Sequence, residues 1–150
     1  MFDRKTPQIG TTVLRFGLGA VFLYHASLKL FVFTLPGTMG FFESVGFPGW
    51  TAIPVTFGEL IGGLMLILGV GTRWAALAMV PIMLGAIQVH WANGFGFNNP
   101  GGGWEFPAFV ALTAGTLFFI GDDLYIYNGG RDVFGGFAGV LRIKRVFAEM

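Results

Sequence analysis

The chain has 150 residues, of which 54% are hydrophobic and 11% are charged, and its formal net charge is +1. A soluble globular domain carries roughly 25% charged residues, so this composition excludes that class and predicts an integral membrane protein. The chain contains no cysteine, which excludes disulfides, Cys-ligated iron–sulfur clusters and a thiol relay of its own.

The first apolar run, residues 9–35, contains three ionisable groups within a segment long enough to cross a bilayer. Steps of three and four residues place them on one stripe of a helix, formed by Arg15, Leu18, Phe22, His25 and Lys29. A charge near the centre of the hydrocarbon costs roughly 2.5–3.5 kcal/mol, so we expect this stripe to face protein or water. Arg15 lies close enough to the cytoplasmic interface to snorkel, and we expect a structural role for it.

The second run, residues 52–70, combines a single charge, Glu59, with several glycines. Gly58 and Gly62 form a small-xxx-small pair, and Gly63 follows directly. Because small side chains let two helix backbones approach closely, we expect these glycines to serve helix packing.

Two further apolar runs follow, residues 74–91 and residues 106–120. His90 lies near the end of the third run, and Glu105 directly precedes the fourth. The fourth run is short for a span, so we expect Glu105 to lie within the membrane interface. Together the four runs predict an all-α integral membrane four-helix bundle, with connections between the helices.

The basic residues predict the orientation of the bundle. Nine Lys and Arg residues are present, two of them inside the first span. With four spans the other seven lie on one side, namely Arg4, Lys5, Arg73, Arg131, Arg142, Lys144 and Arg145. The positive-inside rule assigns this side to the cytoplasm, so we expect both termini to be cytoplasmic. We expect a structural role for Arg73, in the short turn between spans two and three.

The chain divides into a four-span domain, residues 1–123, and a tail, residues 124–150. Asp122 and Asp123 mark the end of the fourth span. In the tail, apolar residues recur near helical spacing with basic residues between them, at Phe134, Phe137, Leu141, Arg142, Arg145 and Phe147. This pattern favours an interfacial segment on the cytoplasmic leaflet, and docking to a partner is the alternative.

Counting along the spans brings the polar groups to one half of the bundle. At 1.5 Å per residue, His25 lies roughly 12 Å and Glu59 roughly 10 Å below the outer surface. The candidate polar or quinone site therefore comprises His25, Lys29, Glu59, His90 and Glu105. The competing interpretation is structural, since Glu59 paired with Lys29 or His25 is also a buried ion pair that fixes helix register.

Three ligands suit these residue types. A quinone needs an apolar, aromatic slot with a His or a protonatable carboxylate beside its carbonyl oxygens. A b-type haem needs two axial ligands, for which His25 and His90 are the candidates. A metal ion could use His25, His90, Glu59 and Glu105, although no helical HxxxH or ExxH pair is present, so we expect no metal site. No basic patch for nucleic acid is visible.

The chain resembles the DoxX family of small membrane proteins in several blocks. They are Leu23-Tyr24-His25-Ala26-Ser27-Leu28-Lys29-Leu30, Phe57-Gly58-Glu59-Leu60-Ile61-Gly62-Gly63, Leu68-Gly69-Val70-Gly71-Thr72-Arg73, and His90, Gly94-Phe95 and Gly103-Trp104-Glu105. The resemblance covers about residues 10–121 and implies a four-span bundle in a bacterial inner membrane. It also implies association with redox enzymes, including thiosulfate oxidation coupled to quinone reduction and oxidant-defence complexes. No established catalytic motif is carried over with it.

Two main hypotheses of function result. In the first, the protein is the membrane subunit of a quinone-linked oxidoreductase complex, with no intrinsic cofactor and a borrowed quinone. In the second, it is a non-enzymatic accessory or assembly subunit of a larger membrane complex. A small-solute transporter is a more distant alternative, favoured by the polar stripe. All three predict the lipid bilayer as a partner, and the first two predict protein partners.

Overall fold

The computed structural model describes residues 5–121, and this part of the chain is helical without strands. Its helices are α1 (Lys5–Ser27), α2 (Leu35–Ser44), α3 (Ala52–Leu68), α4 (Thr72–His90) and α5 (Glu105–Ile120). α1 continues directly into a π-helical turn, Leu28–Val32, which we call the π turn. The predicted stop at Asp122 and Asp123 and the predicted tail of residues 124–150 lie outside the described residues.

The long helices form an up-and-down bundle. α1 packs on α3, α3 on α4, and α4 on α5, with further contacts that close the ring between α5 and α1. Within the described residues, three helices are long and apolar enough to cross a membrane, and α5 is shorter with 16 residues. The predicted all-α membrane bundle is therefore confirmed, and the four predicted spans correspond to α1 with the π turn, α3, α4 and α5.

The two ends of the bundle differ in their connections. The turn from α3 to α4 is short, because Gly69 and Gly71 have φ of 69° and 57°, which lets the chain reverse within a few residues. We call this the hairpin end. The two longer connections, residues 33–51 and 91–104, lie at the opposite end, which we call the loop end.

The buried core runs along the middle of the bundle between these ends. It consists of Leu18 and Phe22 from α1, Leu66 from α3, Ala75, Ala76, Met79 and Met83 from α4, and Val110, Ala114 and Leu117 from α5. The outward faces carry large apolar side chains, among them Phe31, Trp74, Phe109, Leu112 and Phe119. Such faces suit contact with lipid, because hydrocarbon chains are as apolar as the side chains themselves.

Glycines set the closest helix contacts. A Cβ atom at Gly63 would lie 3.1 Å from the carbonyl oxygen of Gly19 and 2.9 Å from Cγ of Leu23, so the backbones of α1 and α3 touch here. On another face of α3, a Cβ at Gly62 would lie 2.6 Å from Cε of Met79 in α4. A Cβ at Gly58 would meet the side chain of the α4 residue Ile82 only at 3.4 Å, an ordinary contact. The α3 glycines thus serve two neighbouring helices.

The connection between α1 and α3 contains a helix, α2, that the sequence interpretation did not include. Thr34 caps this helix by accepting a hydrogen bond from the Gly37 N–H at 3.4 Å, and Pro36 lies in its first turn. Thr34 itself has φ 60° and ψ 159°, a region that is essentially restricted to glycine. A non-glycine residue there costs of order 1–3 kcal/mol, so the surrounding contacts must hold the chain in this conformation.

Arg15 does not snorkel, and that expectation was wrong. Its side chain is 1% exposed and is among the largest fully buried side chains of the described residues. The guanidinium carbon lies 5.5 Å from the ring centroid of Phe16. The reason for the burial is positional, since Arg15 occupies the same face of α1 as the buried Leu18 and Phe22.

Arg73, in the first turn of α4, links α4 to the last turn of α5 at the hairpin end. Its Nε donates to the carbonyl oxygen of Phe118 at 2.9 Å, and its guanidinium lies 5.4 Å from the Phe118 ring centroid. Phe118 is in the last turn of α5, where carbonyl groups lack partners within the helix. A cation at this position satisfies one carbonyl and complements the helix dipole.

Candidate functional site

A salt bridge between Lys29 and Glu59 lies inside the bundle near its loop end. Nζ of Lys29 lies 2.8 Å from Oε1 and 2.6 Å from Oε2 of Glu59, so one ammonium engages both carboxylate oxygens. The Glu59 side chain is 3% exposed and the Lys29 side chain 17%. The pair joins α3 to the π turn, and it is one of the two ion pairs, Glu59 with Lys29 or with His25, that the structural interpretation of the sequence offered.

Glu59 is buried in the middle of α3, and its partner comes from another segment of the chain. It is the eighth residue of α3, which places it roughly 10 Å along the helix axis. Thr56 lies one turn before Glu59 in the same helix. Its hydroxyl donates to the carbonyl of Ala52 at 2.7 Å and makes no hydrogen bond to Glu59. Lys29 therefore supplies the positive charge that makes burial of this carboxylate tolerable.

Lys29 is the more accessible member of the pair. An ammonium group has three N–H donors, and Glu59 occupies two of them. Among residues 5–121, no other group accepts a hydrogen bond from Lys29. One N–H of Lys29 therefore remains beyond the two that Glu59 accepts, and 17% of the side chain is exposed.

His25 lies four residues before Lys29, which is about one helical turn. The side chain is half-buried, and its ring makes an edge contact with Tyr24, with ring centroids 5.7 Å apart. Among the described residues, no hydrogen bond holds either ring nitrogen of His25. His25 and Lys29 therefore present two donors on neighbouring turns of one helix face.

His90 and Glu105, which the sequence placed with this group, instead hold the connection between α4 and α5. Nδ1 of His90 lies 3.2 Å from the carbonyl oxygen of Gly102, which also accepts a hydrogen bond from Asn93 Nδ2 at 2.9 Å. Oε1 of Glu105 accepts a hydrogen bond from the Phe97 N–H at 2.8 Å. The hydrogen bonds of His90 and Glu105 therefore stabilise the connection between α4 and α5, whereas Lys29 and Glu59 bind each other.

The same connection carries an aromatic cluster. Trp91 and Trp104 stack with centroids 5.1 Å apart and ring planes inclined by 20°, and Phe95 meets Trp104 edge-on at 4.8 Å. Trp91 and Phe95 are 63% and 59% exposed. Exposed Trp residues at a helix end are typical of the membrane–water interface, which agrees with the expected position of this end of α5.

Within residues 5–121, no three His, Cys, Asp or Glu side chains converge on a position that could hold a metal ion. The four residues considered for a metal ion, His25, His90, Glu59 and Glu105, all lie in this range.

The sequence interpretation missed one polar residue beside the pair. Thr38 of α2 is 4% exposed, and its hydroxyl lies 2.9 Å from the carbonyl oxygen of Thr34 and 3.4 Å from that of Lys29. The sequence signals that could have revealed α2 are a Thr followed two residues later by Pro, which together are typical of a helix start.

Comparison with known proteins places these residues in a family context. The model of the DoxX family matches residues 10–92, a range that contains His25, Lys29 and Glu59. A protein of Bacillus subtilis (strain 168), named "Putative oxidoreductase CatD", is 35% identical to the chain over 83 residues. The match covers 55% of this chain, which spans 60% of the length of that relative. No solved structure matches the chain.

Proposed function

The chain belongs to the DoxX family, and from this premise we propose that it is the membrane subunit of an oxidoreductase complex and binds a quinone beside Lys29. The observation that carries the proposal is the Lys29–Glu59 pair buried between α1 and α3, with His25 one turn away. Ionisable groups inside a membrane bundle are expensive to bury, so they mark functional sites by default.

The donors at this position match the chemistry of a quinone. A quinone head group is a flat, apolar ring with two carbonyl oxygens that accept hydrogen bonds, and its tail keeps it in the bilayer. The third N–H of Lys29 and a ring N–H of His25 are donors of the required kind on neighbouring turns. Glu59 stabilises the charge of Lys29 while both groups remain within the bundle.

The electrons must come from another protein. The chain has no cysteine to ligate an iron–sulfur cluster or to relay thiols, so it depends on a redox partner. The B. subtilis relative carries the word oxidoreductase in its name, which supports a redox context for the matched region. In this proposal the partner delivers reducing equivalents, and His25, Lys29 and Glu59 hold the ring and handle protons.

The proposed setting is a bacterial inner membrane with both termini in the cytoplasm. The seven basic residues outside the spans support this orientation by the positive-inside rule. The loop end, and with it the Lys29–Glu59 pair, then lies toward the outer surface.

A second candidate is a non-enzymatic accessory subunit, and one observation favours it. Both carboxylate oxygens of Glu59 are satisfied by Lys29 alone, at 2.8 and 2.6 Å. A pair that is complete without a ligand can have a purely structural role, in which it fixes the register of α1 against α3. In this case the protein assembles or anchors a larger complex through its exposed helix faces.

Gentle purification from native membranes separates the two candidates. Copurifying proteins are identified by mass spectrometry, and quinone in the lipid extract is quantified relative to the purified chain. The first proposal predicts quinone in near-stoichiometric amount and a flavin or haem protein among the partners. A stable assembly without quinone, in which the combined variant Lys29→Met/Glu59→Gln assembles as the wild type does, would instead establish the accessory role.

The exposed change Glu43→Gln provides the matched control for these variants. Glu43 lies on α2 and is exposed, so the same chemical change there removes a charge without touching the buried pair. Quinone content and partner recovery should equal those of the wild type in this variant.

A further inference from the structure

The π turn at the end of α1 brings Lys29 to a place where its backbone needs support. The Phe33 N–H donates to the Leu28 carbonyl at 2.8 Å, the wider hydrogen bond of a π turn, and the helix then stops at Thr34. Because the next residues leave the helix, the Lys29 carbonyl lies among the terminal carbonyls that a helix cannot satisfy by itself. π turns of this kind are frequent at functional sites.

α2 supplies the missing contact through one side chain. Thr38 is the buried residue of α2, with 4% exposure, whereas Pro36, Gly37 and Phe41 around it are exposed. A threonine inside a helix usually donates to the carbonyl four residues earlier, and Thr38 does so to Thr34 at 2.9 Å. Its hydroxyl also lies 3.4 Å from the Lys29 carbonyl oxygen, so a single O–H bridges the end of α1 and the start of α2.

The conformation of Thr34 makes this bridge important. With φ 60° and ψ 159°, Thr34 holds a backbone geometry that favours glycine, so the link between the π turn and α2 is strained. Strained residues persist where neighbouring contacts determine the backbone path. Thr34 itself is held by the Gly37 N–H at its hydroxyl and by the Thr38 N–H and hydroxyl at its carbonyl. Five residues earlier in the chain, Lys29 is held by its salt bridge to Glu59.

We propose that Thr38 is a positioning residue for the buried ion pair, holding the backbone of Lys29 so that its ammonium meets both oxygens of Glu59. α2 packs on the π turn and on α3, so it contacts both elements that carry the pair. This role concerns the ion pair alone and holds whether or not a quinone binds beside Lys29.

The test compares two buried threonines. Thr38→Val removes the hydroxyl at nearly constant volume. Thr56→Val is the matched control, because Thr56 is also buried and its hydroxyl bonds only within its own helix, to Ala52 at 2.7 Å. Each change is made in the wild type and in the Lys29→Met/Glu59→Gln background, and thermal midpoints are measured on purified protein from which quinone has been extracted, as checked in its lipid extract.

A positioning role predicts that Thr38→Val lowers the midpoint by a clearly smaller amount when the ion pair is absent, whereas Thr56→Val lowers it equally in both backgrounds. Thr38→Ser, which restores the hydroxyl, should recover the wild-type midpoint. The infrared carboxylate band of Glu59, identified by subtracting the spectrum of Glu59→Gln, should shift in Thr38→Val and stay in place in Thr56→Val.

Equal lowering by Thr38→Val in both backgrounds, together with an unchanged Glu59 band, would overturn the proposal. If Thr38→Val does not accumulate in the wild-type background, its accumulation in the ion-pair-free background decides the question. Recovery there supports the positioning role, and failure there as well contradicts it. Because no quinone enters these measurements, their outcome is independent of the proposed redox function.

Discussion

Removing the carboxylate of the buried pair tests how strongly Lys29 depends on Glu59. Glu59→Gln leaves the ammonium inside the bundle without its counter-charge. Breaking a buried ion pair from one side costs about 3–5 kcal/mol. Since the Lys29 side chain keeps 17% exposure, we expect the lower end of that range, about 3 kcal/mol, which is roughly a hundredfold decrease in the folded-to-unfolded ratio.

Removing both charges should reverse most of this loss. In Lys29→Met/Glu59→Gln no charge is buried, and only the amide lacks its partner, at a cost of about 1 kcal/mol. We therefore expect the combined variant to regain about 2 kcal/mol relative to Glu59→Gln. The assay is accumulation in membranes together with the fraction that stays monodisperse after heating in mild detergent.

An exposed carboxylate provides the control for these variants of the buried pair. Glu43→Gln makes the same chemical change at an exposed position and should behave as the wild type. The reasoning fails if Glu59→Gln is as stable as Glu43→Gln, or if adding Lys29→Met makes Glu59→Gln less stable.

Three further predictions concern packing and the helix ends. Gly63→Ala should destabilise the α1–α3 contact by about 1–3 kcal/mol, because its Cβ would meet Leu23 at 2.9 Å, while Gly17→Ala, with nothing within 4 Å, should not lower the thermal midpoint. Arg73→Gln should lower the free energy of unfolding by less than about 1 kcal/mol, because the exposed guanidinium loses a carbonyl contact and a favourable dipole interaction in the last turn of α5. Arg73→Lys keeps the positive charge and should retain part of this stabilisation, and a loss far above about 1 kcal/mol in Arg73→Gln would contradict the prediction. Glu105→Ala should speed amide exchange at Phe97 and in the surrounding loop, whereas Glu105→Gln, which keeps an acceptor oxygen, should change it little; equal exchange in both variants would mean that the Phe97 hydrogen bond does not hold the loop.

Much of the bundle could be predicted because apolar length and charge spacing are properties of the sequence alone. The four spans, and the placement of His25, Lys29 and Glu59 in the same half of the bundle, followed from counting residues along helices. α2 was missed because it is short and amphipathic periodicity is weak over ten residues. The π turn depends on contacts between distant segments, and nothing in the local pattern around Lys29 announces it.

The side chains at the loop end show what a residue's depth in the membrane does not predict, namely the direction of its side chain. Depth placed His90 and Glu105 with the ion pair, but a hydrogen bond also requires a direction, and both side chains turn to the loop that follows α4. For Arg15 the sequence contained the right signal. Its place on the stripe with Leu18 and Phe22 predicts burial, and proximity to the interface was the weaker argument.

Quinone binding by the purified chain tests the central claim most directly. The wild type and Lys29→Met/Glu59→Gln are reconstituted in lipid nanodiscs and titrated with short-tailed ubiquinone and menaquinone analogues, with Glu43→Gln as the control. The account predicts saturable binding to the wild type and to Glu43→Gln, and its loss in the folded double variant. Binding that is unsaturable in the wild type, or equal in the wild type and the double variant, would contradict a quinone site at Lys29.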